Sequence, residues 1–213
     1  MNFTFLFVSS LALASGSPDW KQTDDEGGIL IFERADPNGF LAFRADGIVH
    51  SPLRSVAAAL LDSEHTPEWV DHLEEDRILA RQGAAKFVEY THVSTPFVLK
   101  DRDFVCEVGL SVKNGSLLIE SHSVEFGAAP ETKYVRGAVL QNEFRLTPLK
   151  DRKTRLQGEF HIDPKGSVAQ WIVNLFQHSW PKKAFRAIQA RAAEGKSTLP
   201  KALEPILEAL PNS

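Results

Sequence analysis

The chain has 213 residues, 43% of them hydrophobic, and a formal net charge of −4. That suits one domain with a sizeable core and excludes the basic footprint of a nucleic-acid binder. A single cysteine, Cys106, excludes an intrachain disulfide and any multi-cysteine metal site.

Met1 to Ala14 carries no charged side chain and ends in Ala12-Leu13-Ala14, followed by Ser15-Gly16-Ser17. A short apolar run closed by an A-x-A pattern reads as a secretory signal peptide. The expectation is a periplasmic or secreted bacterial protein after removal of residues 1–14. Residues 18–193 are expected to form one folded domain, and 194–213 a tail with a short helix.

Pro18 to Glu26 is a polar lead-in, read as a short helix broken by Gly27-Gly28. Ile29–Arg34 and Phe40–Val49 read as a hairpin around Asp36-Pro37-Asn38-Gly39, four turn-prone residues together. Ser51-Pro52 opens a helix that runs to Leu61, and Thr66-Pro67 a shorter one carrying Trp69, Val70 and Leu73. The acids Glu74-Glu75-Asp76 read as solvated. Strands are predicted over 77–81, 86–95, 103–113, 116–125, 135–149 and 153–162, about eight in all with the first hairpin.

Near the C-terminus Val168, Trp171, Ile172, Leu175, Phe176 and Ser179 recur at helical spacing, and Phe185, Ile188 and Ala192 continue the stripe. Ser167 is the expected N-cap, and Pro181 predicts a kink or a split. An amphipathic helix closing a β-rich chain must bury its stripe against the sheet. Lys182, Lys183 and Arg186 set a basic group just after Pro181, read as a solvated face or a contact with anionic lipid.

Asn114-Gly115 is the favoured pair for a two-residue hairpin, and it fixes register. Cys106 then pairs with Ser123, Val108 with Ser121, Leu110 with Ile119, and Val112 with Leu117. Hydrophobic alternation makes this the inner face. His122 falls on the outer face opposite Glu107, as a solvated pair. For Phe87 to Val93, periodicity leaves open which side faces in.

Enzyme signatures are absent: no G-x-S-x-G, H-E-x-x-H, P-loop or G-x-G-x-x-G occurs. His65 and His72 flank acids without metal-ligand spacing, and His161 with Asp163 reads as outward-facing. Asp101-Arg102-Asp103-Phe104 reads as a local ion-pair clamp at a strand entry.

These pieces together resemble the START (steroidogenic acute regulatory protein-related lipid-transfer) domain family. The resemblance runs through Trp20, Gly28 to Phe32, the helix from Pro52, Trp69, Arg102-Asp103-Phe104-Val105, Val135-Arg136, Phe144-Arg145-Leu146-Thr147-Pro148-Leu149, Ile162-Asp163-Pro164-Lys165-Gly166, and the final helix with Trp171, Ile172, Asn174 and Pro181. It implies an α+β helix-grip fold, a curved antiparallel sheet wrapped round a long C-terminal helix with a cavity between. It implies one hydrophobic ligand such as a sterol or phospholipid, no catalysis, no cofactor and no metal. The expected partners are a lipid and a transient membrane contact, with no nucleic acid, and a monomer is expected.

The family's sterol binders place an acid and an arginine as a pair in the cavity. By the resemblance these positions are Glu89 and Val108, so the arginine is missing and Glu89 needs another partner or sits protonated. The resemblance also turns Phe87, Glu89, Thr91 and Val93 inward. The expected ligand-binding residues are Phe87, Glu89, Thr91, Cys106, Val108, Ser121, Asn142, Phe160, Trp171 and Leu175. An alternative from the same fold is a cyclase or hydrolase using Glu89 as acid–base.

Overall fold

Alternating strands joined by tight turns set the architecture, seen here in a computed structural model. It describes residues 20–35, 41–95, 99–166 and 170–210, with side chains in the last stretch from Pro181 onward. The predicted signal peptide, the turn at 36–39 and the N-cap Ser167 lie outside the described residues.

Among the described residues ten strands form one sheet: β1 (Lys21–Glu26), β2 (Ile29–Ala35), β3 (Leu41–Val49), β4 (Leu73–Arg81), β5 (Lys86–Val93), β6 (Arg102–Lys113), β7 (Ser116–Ser123), β8 (Val135–Arg136), β9 (Ala138–Leu149) and β10 (Lys153–Asp163). The spatial order is β1-β2-β3-β10-β9-β7-β6-β5-β4, and the short β8 pairs with β6 in parallel. Three helices accompany it: α1 (Leu53–Leu60), α2 (Gln170–Glu194) and α3 (Glu204–Glu208).

The Asn114-Gly115 register holds at each predicted pair, Cys106 with Ser123, Val108 with Ser121, Leu110 with Ile119 and Val112 with Leu117. Both turn residues have positive φ, 52° and 73°, as a primed two-residue turn requires.

Four expectations change. The lead-in is a strand, not a helix: Lys21–Glu26 pairs with β2. Trp20 is packed against the guanidinium groups of Arg34 and Arg44, 4.7 and 4.3 Å from its ring. Its charged residues suit a sheet edge, where side chains need no apolar alternation. The helix expected from Thr66 is a 3₁₀ helix over Ser63–Glu68, and Leu73 already belongs to β4. Pairing with β5 draws residues 73–76 into the sheet. The strand over 135–149 is two strands parted at Gly137, where a Cβ would come within 2.3 Å of the Phe104 ring. Finally, of the kink or split expected at Pro181, the split does not occur: α2 continues through it. The lost backbone bond is outweighed by burial of Phe185, Ile188 and Ala192, at 3%, 3% and 4% exposure.

The inner face and α2 enclose the main core with α1 and the C-terminal segment. Leu203, Leu207 and Leu210 are buried in it beside Val56, Leu146 and Leu156. Residues 199–210 therefore contribute core contacts. A smaller cluster on the outer face joins Val88, Tyr90 and Val105 to Val124, Phe126 and Ala129.

At Gly47 sheet and helix come close together. A Cβ there would lie 2.8 Å from Phe185 Cζ and 3.2 Å from the Gly28 carbonyl oxygen. Gly47→Ala should therefore cost about 1–3 kcal/mol, the usual cost of overpacking, read as a lower urea midpoint at constant m. An unchanged midpoint would mean the helix shifts freely on the sheet.

Candidate ligand site on the inner face

Register decides which side chains meet. One row of paired residues crosses the sheet: Phe87, Val108, Ser121, Asn142, Phe160 and Phe43. The next row along the strands is Ser123, Cys106, Glu89 and Ile78, and then come Phe104, Thr91 and Asp76. Directly opposed residues share a face, so eight of the ten expected ligand-binding residues lie together on the side that α2 covers. Trp171 and Leu175 fall within α2, but their side chains lie outside the described part.

The row is packed unevenly. Phe87, Val108, Phe160 and Cys106 are buried. Phe160 stands edge-on to Phe144 at 5.3 Å, above Gly158, where a Cβ would strike both rings. Glu89, Thr91, Ser121 and Asn142 instead keep accessible surface of their own, and Ser121 and Asn142 line a groove beside Leu140 and Gln141. The Asn142 Oδ1 oxygen is wholly buried and has no hydrogen-bond partner.

Glu89 has no arginine. Burial raises its carboxyl to about 7, and the Ser63 hydroxyl, donating to it from the 3₁₀ helix, opposes the rise. The carboxyl's charged neighbour is a second acid. Asp76 pairs with Thr91 and Ile78 with Glu89, so Asp76 and Glu89 are diagonal neighbours on the inner face of β4 and β5. Burial first, and then the Glu89 charge, push Asp76 up to about 9, against a hydrogen bond from Thr66. Asp76 Oδ1 is wholly buried without a partner.

The reading of Glu74-Glu75-Asp76 as solvated thus fails at Asp76. Ser63 and Thr66 were also missed. The available signal was Ile78, two residues after Asp76 and apolar. Cys106, paired with Glu89, has its thiol pushed up to about 12 by burial and lies 3.8 Å from the Ser123 hydroxyl.

The Asp101-Arg102-Asp103 motif is structural, but it is not a local clamp. Asp103 is fully buried and accepts two bonds from Arg136, at 2.9 and 3.0 Å, and one from Thr132 at 2.8 Å. Arg102 donates to the carbonyls of Lys100, Pro164 and Lys165, at 2.5, 3.3 and 3.3 Å. The guanidinium thus ties the sheet end to the turn that precedes α2. His161, expected outward or in the turn, is buried at 9% exposure, next to a register slip between His161 and Ile162. His122 meets Glu107 at 4.0 Å on the exposed face, as expected.

The basic group after Pro181 is paired. Lys182 binds Asp24 and Glu26, Arg186 binds Glu26, and Lys183 binds Asp71. These bonds bridge α2 to β1 and to the segment before β4. Beside the Lys183 bond, a cleft of about 290 Å³ opens between Trp69, Val70 and α2.

A sheet gripping a long C-terminal helix over a face with enclosed polar groups defines a helix-grip protein. The START domain profile matches residues 6–194. The chain belongs to the START domain family. It is 23% identical over 187 residues to the uncharacterized protein PA1579 of Pseudomonas aeruginosa, covering 87% of this chain and 91% of that one. Human StAR-related lipid transfer protein 5 superposes with a TM-score of 0.77 at 22% identity, over 84% of this chain and 89% of the other. A STAR-related lipid transfer protein fragment from Xanthomonas axonopodis superposes with a TM-score of 0.72 at 19% identity, over 82% and 99%. At these identities the superpositions establish the fold.

Proposed function

We propose that the protein is a non-catalytic carrier, taking one lipid between the sheet and α2 and shielding it from water. The observation that carries this reading is the set of polar side chains on the inner face, Glu89, Thr91, Ser121 and Asn142, that keep accessible surface among buried apolar neighbours. Phe87, Val108 and Phe160 supply apolar wall. Burying a lipid chain there gains roughly 25 cal/mol per Å² of apolar surface, with the few polar groups orienting the head. Entry requires α2 or the segment at 69–72 to move, a lid-type step. The Lys183–Asp71 bond crosses that line.

Residues 1–14 support export, which would set the carrier in the aqueous space beside or between membranes, acting as a monomer with transient membrane contact. Protein purified from its own host should carry one lipid per chain by native mass spectrometry and begin after Ala14. Finding no lipid on extraction, together with no uptake of fluorescent sterols or phospholipids, would sink the carrier reading.

The Asp76–Glu89 pair favours one second reading. Two acids held apart in proton affinity are what general acid–base chemistry uses. A helix-grip enzyme would lose turnover in Glu89→Gln, whereas the carrier still loads lipid with altered selectivity.

A further inference from the structure

We propose that Asp76 and Glu89, with Ser63 and Thr66 above them, seat the protonated amine of an amphiphilic ligand. The inference rests on the carrier reading and names the head group it would accept. The register sets the two carboxyls diagonally on the inner face of adjacent strands. Among the described residues no cation acts on them. The place where the family resemblance expects an arginine holds Val108, which is buried at 5% exposure. The cations nearby in sequence are engaged elsewhere, Arg77 with Glu75, Lys86 with Glu107 and Arg81 over the Phe87 ring, and Arg191 of α2 is held by Asp62. The other titratable groups on the facing elements are Cys106 on β6, Asp62 at the cap of the 3₁₀ helix, and Glu64, His65 and Glu68 on it. Asp62 and His65 bond each other at 2.7 Å.

The second observation is the Asp76 Oδ1 oxygen, enclosed and without a partner. An acceptor left unmet in a protein interior is destabilising, and a ligand donor would satisfy it. Head-group chemistry then discriminates. A carboxylate or phosphate brings no donor and repels the pair. A hydroxyl donates one bond and brings no charge. A primary ammonium brings three N–H donors and a positive charge, enough to bond both carboxyls together. On binding, the protons held by the two carboxyls leave to solvent, and the bonds formed are charge-assisted.

The test uses the full folded chain and three probes of equal chain length, dodecylamine, dodecanol and dodecanoate, below their micellar concentrations. Each competes at pH 7 against a bound fluorescent lipid. Dodecylamine should compete about tenfold or more better than dodecanol, with dodecanoate weakest. In the Asp76→Asn/Glu89→Gln variant, shown folded by near-UV circular dichroism, the amine-over-alcohol ratio should fall to about twofold or less. A preference for alcohol in the parent, or an amine preference that survives in the double variant, overturns the inference. Dodecanol uptake without amine preference removes this inference alone. Failure of every probe and of the fluorescent lipid to bind removes the carrier reading with it.

Discussion

From about pH 5 to pH 9 the protein should lose stability steadily, and the Asp76→Asn/Glu89→Gln variant should not. Burial holds the carboxyls of Asp76 and Glu89 well above their ordinary values, to about 9 and about 7. In the unfolded chain both ionise near pH 4. Below that, both states are protonated and the pair costs nothing. As pH rises, the unfolded chain releases protons that the folded chain keeps, so the folded state binds more protons and stability falls with pH. The slope ends once pH passes the folded values. The loss across the window is on the order of several kcal/mol, an upper figure because the two groups share one environment.

The acids that bonds hold low, Asp62, Asp101, Asp103 and Asp163, act in the opposite sense. Their stability is present above the ordinary carboxylate range and is lost as pH falls through their folded values. The parent should therefore be most stable in mildly acidic solution. The amides keep shape and hydrogen bonding but bind no proton in this range. Urea denaturation at pH 5, 7 and 9 reads the difference directly: the variant's advantage should grow with pH. Parallel curves for parent and variant would show that the two carboxyls are not enclosed together.

Where a local rule had one physical solution, the fold was legible in the residues. Asn114-Gly115 admits one tight turn, and that turn set the pairing from Cys106–Ser123 to Val112–Leu117. Pairing then carried the inner face across to Asn142 and Phe160. The parity of Glu89 was not legible from alternation, since Phe87–Val93 is apolar on both faces, each covered by its own cluster. Family resemblance supplied it. Asp76 escaped because three consecutive acids look solvated, and nothing local reports that the 3₁₀ helix closes over one of them. Lys21–Glu26 escaped because an edge strand made of charges has no apolar rhythm to read. Long-range partners such as Arg136 for Asp103 lie outside any local pattern.

Removing the partner of Asp103 should hurt more than removing the charge of Asp103 itself. Asp103 is fully buried, and Arg136 answers it with two bonds while staying partly exposed. In Arg136→Ala the carboxylate stays buried with only the Thr132 and Tyr90 hydroxyls donating to it. An uncompensated buried charge of this kind costs about 3–5 kcal/mol. For a chain of this size that lowers Tm by about 10 °C or more. Asp103→Asn leaves a neutral amide in the same place, and Arg136 can turn to water. That change should cost about 1–3 kcal/mol.

The asymmetry has a pH signature. Bonds from Arg136 and Thr132 hold the Asp103 carboxyl below its ordinary value against burial. Without Arg136, burial prevails and the folded value rises, so Arg136→Ala should recover part of its lost stability as pH falls toward 4, while Asp103→Asn should not. The same deletion frees the carbonyl of Pro130, which Arg136 also holds. Loosening of the 124–134 segment over Val88, Tyr90 and Val105 should appear as faster amide exchange there. Equal losses for the two variants at every pH would mean that water reaches Asp103 and that its pair with Arg136 is a surface contact.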